Sequence, residues 1–129
     1  MTTQTTTPLL RLDHVVKTYQ TGAGTFTALK GITAEVQRGE FISVIGKSGA
    51  GKSTLVNMIT GVDTLTEGSI WIQDTSVHHL DENKRALWRG KTLGVIYQSF
   101  ELLPQLSLID NVLMPIDMCG LYKPQESYK

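Results

Sequence analysis

Nine consecutive residues limit what this chain can become: Gly46-Lys47-Ser48-Gly49-Ala50-Gly51-Lys52-Ser53-Thr54. They fit G-x-x-x-x-G-K-[ST], the pattern of a loop that cradles phosphate groups. The pattern has physical meaning only between a strand and a helix. Upstream, Phe41-Ile42-Ser43-Val44-Ile45 is a short apolar run that reads as a buried strand. Downstream, Leu55, Met58 and Ile59 fall at helical spacing and Gly61 is placed to end the helix.

Each residue type in the loop has a chemical reason to be there. Gly46, Gly49 and Gly51 lack a Cβ, so the backbone can take positive φ and come close to a phosphate. The loop N–H groups then converge as an anion nest. The helix that follows adds its unpaired N-terminal N–H groups and the positive end of its dipole. Lys52 brings a point charge for the β- and γ-phosphates, and Ser53 a hydroxyl suited to Mg²⁺, which prefers hard oxygen ligands.

Composition narrows the class further. With 129 residues the chain is long enough for one domain, and at 40% hydrophobic and 19% charged it is globular in type. Twelve Lys+Arg balance twelve Asp+Glu, which argues against a general nucleic-acid binder. A single cysteine, Cys119, excludes an internal disulfide and a cysteine metal cluster. No apolar run approaches the roughly 20 residues that span a bilayer. Residues 1–8, Met-Thr-Thr-Gln-Thr-Thr-Thr-Pro, lack the apolar core of a secretory signal and read as a disordered polar tail.

The remaining chain divides by hydrophobic period. Leu9–Tyr19 alternates as a strand with Leu10, Leu12, His14 and Val16 on one face. Gln20–Thr25 has turn chemistry, and Phe26–Val36 is a second extended segment in which Gly31 predicts a bulge. Ser69–Ile72 reads as a short strand. His78-His79 lack partners at metal-ligand spacing and read as a solvated loop or helix start. Asp81 can cap a helix through Arg89 that stops at Gly90, with Trp88 as its apolar anchor. Leu93–Tyr97 reads as another buried strand ending at Gln98. The loop Ser99–Pro104 is unusually apolar, which fits either a partner surface or packing beneath the loop. Ser107 and Asp110 form a capping box for a helix running to Met118, bent or broken at Pro115 and stopped by Gly120, after which Leu121–Lys129 could begin another helix.

Taken together these residues resemble the ATP-binding subunits, or nucleotide-binding domains, of ABC transporters. The resemblance rests on the loop Gly46–Thr54, on Tyr19 at the end of the first strand, and on Gly39-Glu40-Phe41 as lead-in. It rests also on Leu93-Gly94-Val95-Ile96-Tyr97-Gln98, Leu102-Leu103-Pro104 and Asn111-Val112. It covers the chain from Leu9 onward, residues 9–129, and is strongest toward the subgroup of lipoprotein-releasing and macrolide-export ATPases. The implied fold is α/β: a P-loop NTPase core of the ABC type with an N-terminal antiparallel β-subdomain. The family's signature motif, Walker B strand and switch histidine are not found up to Lys129, so the chain is expected to be a truncated ABC ATPase.

The resemblance also assigns roles. Tyr19 would stack on adenine. Gly46, Lys47, Ser48, Gly49, Ala50, Gly51, Lys52, Ser53 and Thr54 would hold the phosphates of ATP. Ser53 and Gln98 would contact Mg²⁺, with Gln98 reporting nucleotide state from the catalytic site. Membrane subunits would dock a coupling helix near Gln98–Leu106, and a second ATP-binding subunit would complete a head-to-tail dimer on the cytoplasmic face of the membrane. The expected function is therefore Mg-ATP binding coupled to transport, with little hydrolysis by these residues alone. The alternatives are a soluble ABC-type ATPase of DNA repair or translation, and a nucleotide-binding module without turnover. A further expectation is exposed apolar faces, because the core sheet would lack neighbouring strands.

Overall fold

The computed structural model describes residues 7–99 and 102–121. The expected polar tail therefore lies outside the described residues except for Thr7 and Pro8, as does the helix start expected beyond Leu121. Two compact units divide the chain, Met1–Arg85 and Ala86–Lys129.

The first unit is built on four antiparallel strands: β1 (Leu10–Thr21), β2 (Gly24–Val36), β3 (Glu67–Ile72) and β4 (Thr75–Ser76), ordered β2-β1-β3-β4. The hairpin of β1 and β2 closes at Gly22-Ala23, where Thr21 Oγ1 donates to the Gly24 carbonyl at 2.7 Å. Its register pairs Leu12 with Ala34, Val15 with Ile32, Lys17 with Leu29 and Tyr19 with Phe26. Irregularities interrupt it at residues 13–14 and at Gly31. His14 sits at φ +46°. Gly31, at φ +86°, leaves room for its ring: a Cβ there would stand 2.8 Å from His14 Cε1. The bulge expected at Gly31 is thus present.

The extra residue of β1 at positions 13–14 corrects the expected strand face. Alternation from Leu10 would place Leu12, His14 and Val16 together. The structure instead buries Leu12, then Val15 and Lys17, leaving His14 exposed. An extra residue in one strand reverses which side chains face inward beyond it.

Helix α1 (Lys52–Ile59) packs Met58 into the core, where Met58, Ile70, Val15 and Val77 are fully buried. It ends as expected at Gly61, φ +65°. There Gly61 N–H bonds Met58 O at 3.2 Å and Val62 N–H bonds Asn57 O at 3.0 Å, the paired bonds of a Schellman cap. A 3-10 turn over Val77–His79 leads to α2 (Glu82–Thr92). Asp81 caps α2, accepting the Lys84 N–H at 2.9 Å.

Two expected strands do not form. Phe41–Ile45 and Leu93–Tyr97 take no part in any ladder among the described residues. Phe41 is 96% exposed, Ile45 90% and Ile96 97%. A strand is defined by its neighbour's hydrogen bonds, and neither segment has one here. The expectation of uncovered apolar faces is met at these residues.

The second unit holds the end of α2, the segment Leu93–Ser99 and helix α3 (Leu108–Met118). Gly90 does not stop α2, which continues to Thr92. A Cβ on Gly90 would collide with Cys119 Sγ; its bare Cα admits the end of α3 rather than ending a helix. Pro115 likewise does not break α3, which runs through it to Met118. Its cost is one missing i→i−4 bond, because proline has no N–H, and the helix is held at both ends. Ser107 Oγ accepts the Asp110 N–H at 3.2 Å, and Gly120 closes a Schellman cap in which Leu121 N–H bonds Ile116 O at 2.9 Å.

Candidate phosphate-binding site

The site begins where α1 begins. Gly51 is its N-cap, at φ 90° and ψ 12°, and no side chain caps the helix. Its first turn contains no acidic residue. The first helical bond runs from Leu55 N–H to Gly51 O at 2.8 Å, so the N–H groups of Lys52, Ser53 and Thr54 precede the ladder and lack helical acceptors. Within the loop Ala50 N–H bonds Lys47 O at 3.1 Å. Among the described residues no chain acceptor takes the N–H of Ser48, Gly49 or Gly51. Helix start and loop thus present a run of unpaired donors with the positive end of a helix dipole.

Gly51 is also a contact. A Cβ there would meet the Ala28 carbonyl oxygen at 2.8 Å and Leu29 Cδ2 at 3.2 Å. Ala28 is the residue skipped between the pairs Lys17–Leu29 and Thr18–Thr27. The loop is therefore seated against an irregular point of β2, where the backbone leaves the ladder.

Lys52 Nζ donates to the carbonyls of Gly46 at 2.7 Å and Lys47 at 2.8 Å. An ammonium has three donors, so one remains for a ligand. Ser53 is exposed, and its hydroxyl has no partner among the described residues. Free amides, a loop-held ammonium and a free hydroxyl at one helix start are the donor set that a magnesium–polyphosphate needs.

Tyr19 lies on β1 and is half-buried. Its hydroxyl donates to Asp63 Oδ2 at 3.1 Å, and Lys17 Nζ stands 4.7 Å from its ring centroid. Lys17 also bonds Asp63 Oδ1 at 2.9 Å and Thr64 O at 2.6 Å. Burial pushes the Asp63 carboxyl up, but hydrogen bonds from Lys17, the Thr64 N–H and Tyr19 outweigh it, and the pKa falls below the usual carboxylate range. Alternation along the first strand puts Lys17 with Arg11 and Asp13 on the face opposite Leu12, whereas the structure buries it, and Asp63 falls in a polar connection to which the sequence assigns no role. Lys17 stands two residues before Tyr19 and so shares its strand face, but its burial follows from the bulge upstream.

Gln98 belongs to the second unit, exposed at a bend after Leu93–Tyr97. Of the apolar loop beyond it, residues 100 and 101 lie outside the described residues, and Leu102, Leu103 and Leu106 are exposed. This loop has a clamp that sequence reading did not find. Asn111 Oδ1 accepts the Leu103 N–H at 2.8 Å. Asn111 Nδ2 donates to the carbonyls of Leu103, Leu106 and Ser107 at 2.9–3.2 Å.

No group of three His, Cys, Asp or Glu placed to hold a metal ion occurs among the described residues, and the histidine pair differs from the solvated reading. His78 is half-buried, with Nε2 2.9 Å from Met58 O, and His79 Nδ1 pairs with Ser76 Oγ at 2.7 Å.

A glycine loop with free amides, a lysine returned into it and a serine at the first helical turn together define a P-loop nucleotide-binding protein. The particular family follows from comparison. The family model described as ABC transporter matches residues 29–128, and the chain belongs to that family. It is 37% identical to the lipoprotein-releasing system ATP-binding protein LolD of Saccharophagus degradans, over 95% of this chain and 54% of that protein. The LolD protein of Pseudomonas syringae is 40% identical over 84% of this chain and 48% of its own length. Among solved structures, the dimeric ABC transporter cassette MJ0796 superposes with a TM-score of 0.83 at 34% identity, covering 92% of this chain and 50% of that one. The same cassette in a post-hydrolysis state, bound to ADP and Pi, superposes equally well. The chain spans about half the length of the curated relatives it matches.

Proposed function

We propose that this chain forms the Mg-ATP cradle of an ABC transporter's ATP-binding subunit. The carrying observation is the uncapped start of α1, whose free amides stand beside an ammonium already held by loop carbonyls. The loop amides and Lys52 would hold the β- and γ-phosphates, Thr54 the α-phosphate and Tyr19 the adenine. Ser53 would give its hydroxyl to Mg²⁺, with Gln98 as a further oxygen ligand. A bound Mg²⁺ supplies charge neutralisation on the β- and γ-oxygens. Positioning these phosphates is the larger part of phosphoryl-transfer catalysis. Orienting the attacking water needs groups that the resemblance places outside these 129 residues, so turnover by the chain alone is expected to be weak.

In the transporter, the loop near Gln98–Leu106 would receive the coupling helix of a membrane subunit, and a second ATP-binding subunit would complete the site. The LolD relatives support a transport subunit of the lipoprotein-releasing type; by the family resemblance it would work on the cytoplasmic face of the membrane. Among the described residues no helix is long and apolar enough to cross one. Calorimetric titration with Mg-ATP tests the cradle. Saturable binding that inorganic tripolyphosphate displaces is the expected result; no heat and no displacement would overturn it.

A further inference from the structure

We propose that Lys17 and Asp63 are positioning residues that hold the Tyr19 ring as a pre-set platform for the purine of the bound nucleotide. The inference rests on the nucleotide reading above and extends it to a part-buried ion pair that would touch neither phosphate nor base.

Four contacts carry it. The Lys17 side chain is only 10% exposed, and its ammonium donates to Asp63 Oδ1 and to Thr64 O at 2.9 and 2.6 Å. The same ammonium lies 4.7 Å from the Tyr19 ring centroid, within the range of a cation–π contact. Tyr19 Oη donates to the other Asp63 oxygen at 3.1 Å. One carboxylate thus bridges two side chains that share a strand face. The hydroxyl bond anchors the tip of the ring and the ammonium lies over one ring face; a flat ligand would stack on the other face. A ring ordered before binding does not have to be ordered by the ligand.

Asp63 also sits two residues beyond Gly61, which ends α1. The helix whose first turn offers amides to phosphate therefore leads, at its other end, to the brace of the platform. At 1.5 Å per residue its eight residues span about 12 Å. Base and phosphate subsites are referred to opposite ends of one rigid element.

The test compares Mg-ATP with Mg-tripolyphosphate, which has no base, in equilibrium titrations of the full chain. Tyr19→Ala is expected to weaken ATP by about 5- to 150-fold, the range of one base stacked on one aromatic ring. Asp63→Asn is expected to weaken ATP by roughly 5-fold or more, the low end of that range, and tripolyphosphate less than about twofold. Added to Tyr19→Ala, Asp63→Asn is expected to cost nothing further. Equal losses for ATP and tripolyphosphate, a loss that persists without Tyr19, or unchanged ATP affinity would each overturn the proposal. Asp63→Asn strands a buried ammonium; if it fails to fold, Lys17→Met with Asp63→Asn removes both charges and gives the same comparison. Failure of the nucleotide reading itself has another signature: the unaltered chain then binds neither compound.

Discussion

The Cα of Gly51 lies against the Ala28 carbonyl so closely that a Cβ would stand 2.8 Å from its oxygen. This contact seats the phosphate loop on the antiparallel sheet. Gly51 is held there at φ +90°, where a side chain is strained even without a neighbour. Gly51→Ala should therefore cost about 1–2 kcal/mol from the left-handed backbone alone, and more from the clash. Urea denaturation should show a lower midpoint, and Mg-ATP binding should weaken with it. A midpoint equal to the original would mean that the loop shifts freely on β2.

Lys52 makes its two bonds to exposed loop carbonyls, so little of the fold depends on it. Its remaining donor is what the phosphate meets. Lys52→Ala should weaken Mg-ATP by about 1.5–3 kcal/mol, the scale of a hydrogen bond to a charged group, with an unchanged circular dichroism spectrum. Calorimetry decides; equal affinity would remove the ammonium from the site.

Acid should destabilise the first unit through His78. Burial pushes its imidazole pKa below the usual value, the Met58 carbonyl pulls it the other way, and the Arg85 charge adds to the lowering. With Nε2 bonded to Met58 O, Nδ1 is buried without a partner, and a proton there would be unpaired. Because the folded state holds the proton less well than the unfolded chain, stability is fully present above about pH 6.5 and is lost as pH falls from there toward the folded pKa. Denaturation midpoints between pH 7.5 and 5 should fall, and the fall should shrink in His78→Gln. Asp63 acts in the same direction, but only as pH falls below the ordinary aspartate value of about 3.9, where the unfolded chain binds the proton more readily than the folded one.

Asn111 joins α3 to the preceding loop through four hydrogen bonds. Asn111→Ala should free the Leu103 amide, raising its hydrogen-exchange rate about 5- to 13-fold, as loss of one net hydrogen bond of about 1–1.5 kcal/mol requires. Exchange in the α3 interior should change less. Unchanged exchange at Leu103 would show that the loop holds its shape without the clamp.

The turn and the helix start of the loop were legible from spacing alone. Gly46–Thr54 needs only its own residue types to turn, to start a helix and to leave amides free, and the stops at Gly61 and Gly120 and the cap at Ser107 are equally local. Even Gly31 announced its bulge. The extra residue at 13–14, which reverses the face of β1, was not legible, because it depends on how that strand registers with its neighbours. Only tertiary structure turned Lys17 inward, joined it to Asp63 and set both against Tyr19. Only the approach of Cys119 explains why Gly90 lies inside a helix. Phe41–Ile45 and Leu93–Tyr97 carry the composition of strands, yet stand without ladders. Residue type sets a preference for extended backbone, and a strand exists only where another backbone lies beside it to share its hydrogen bonds.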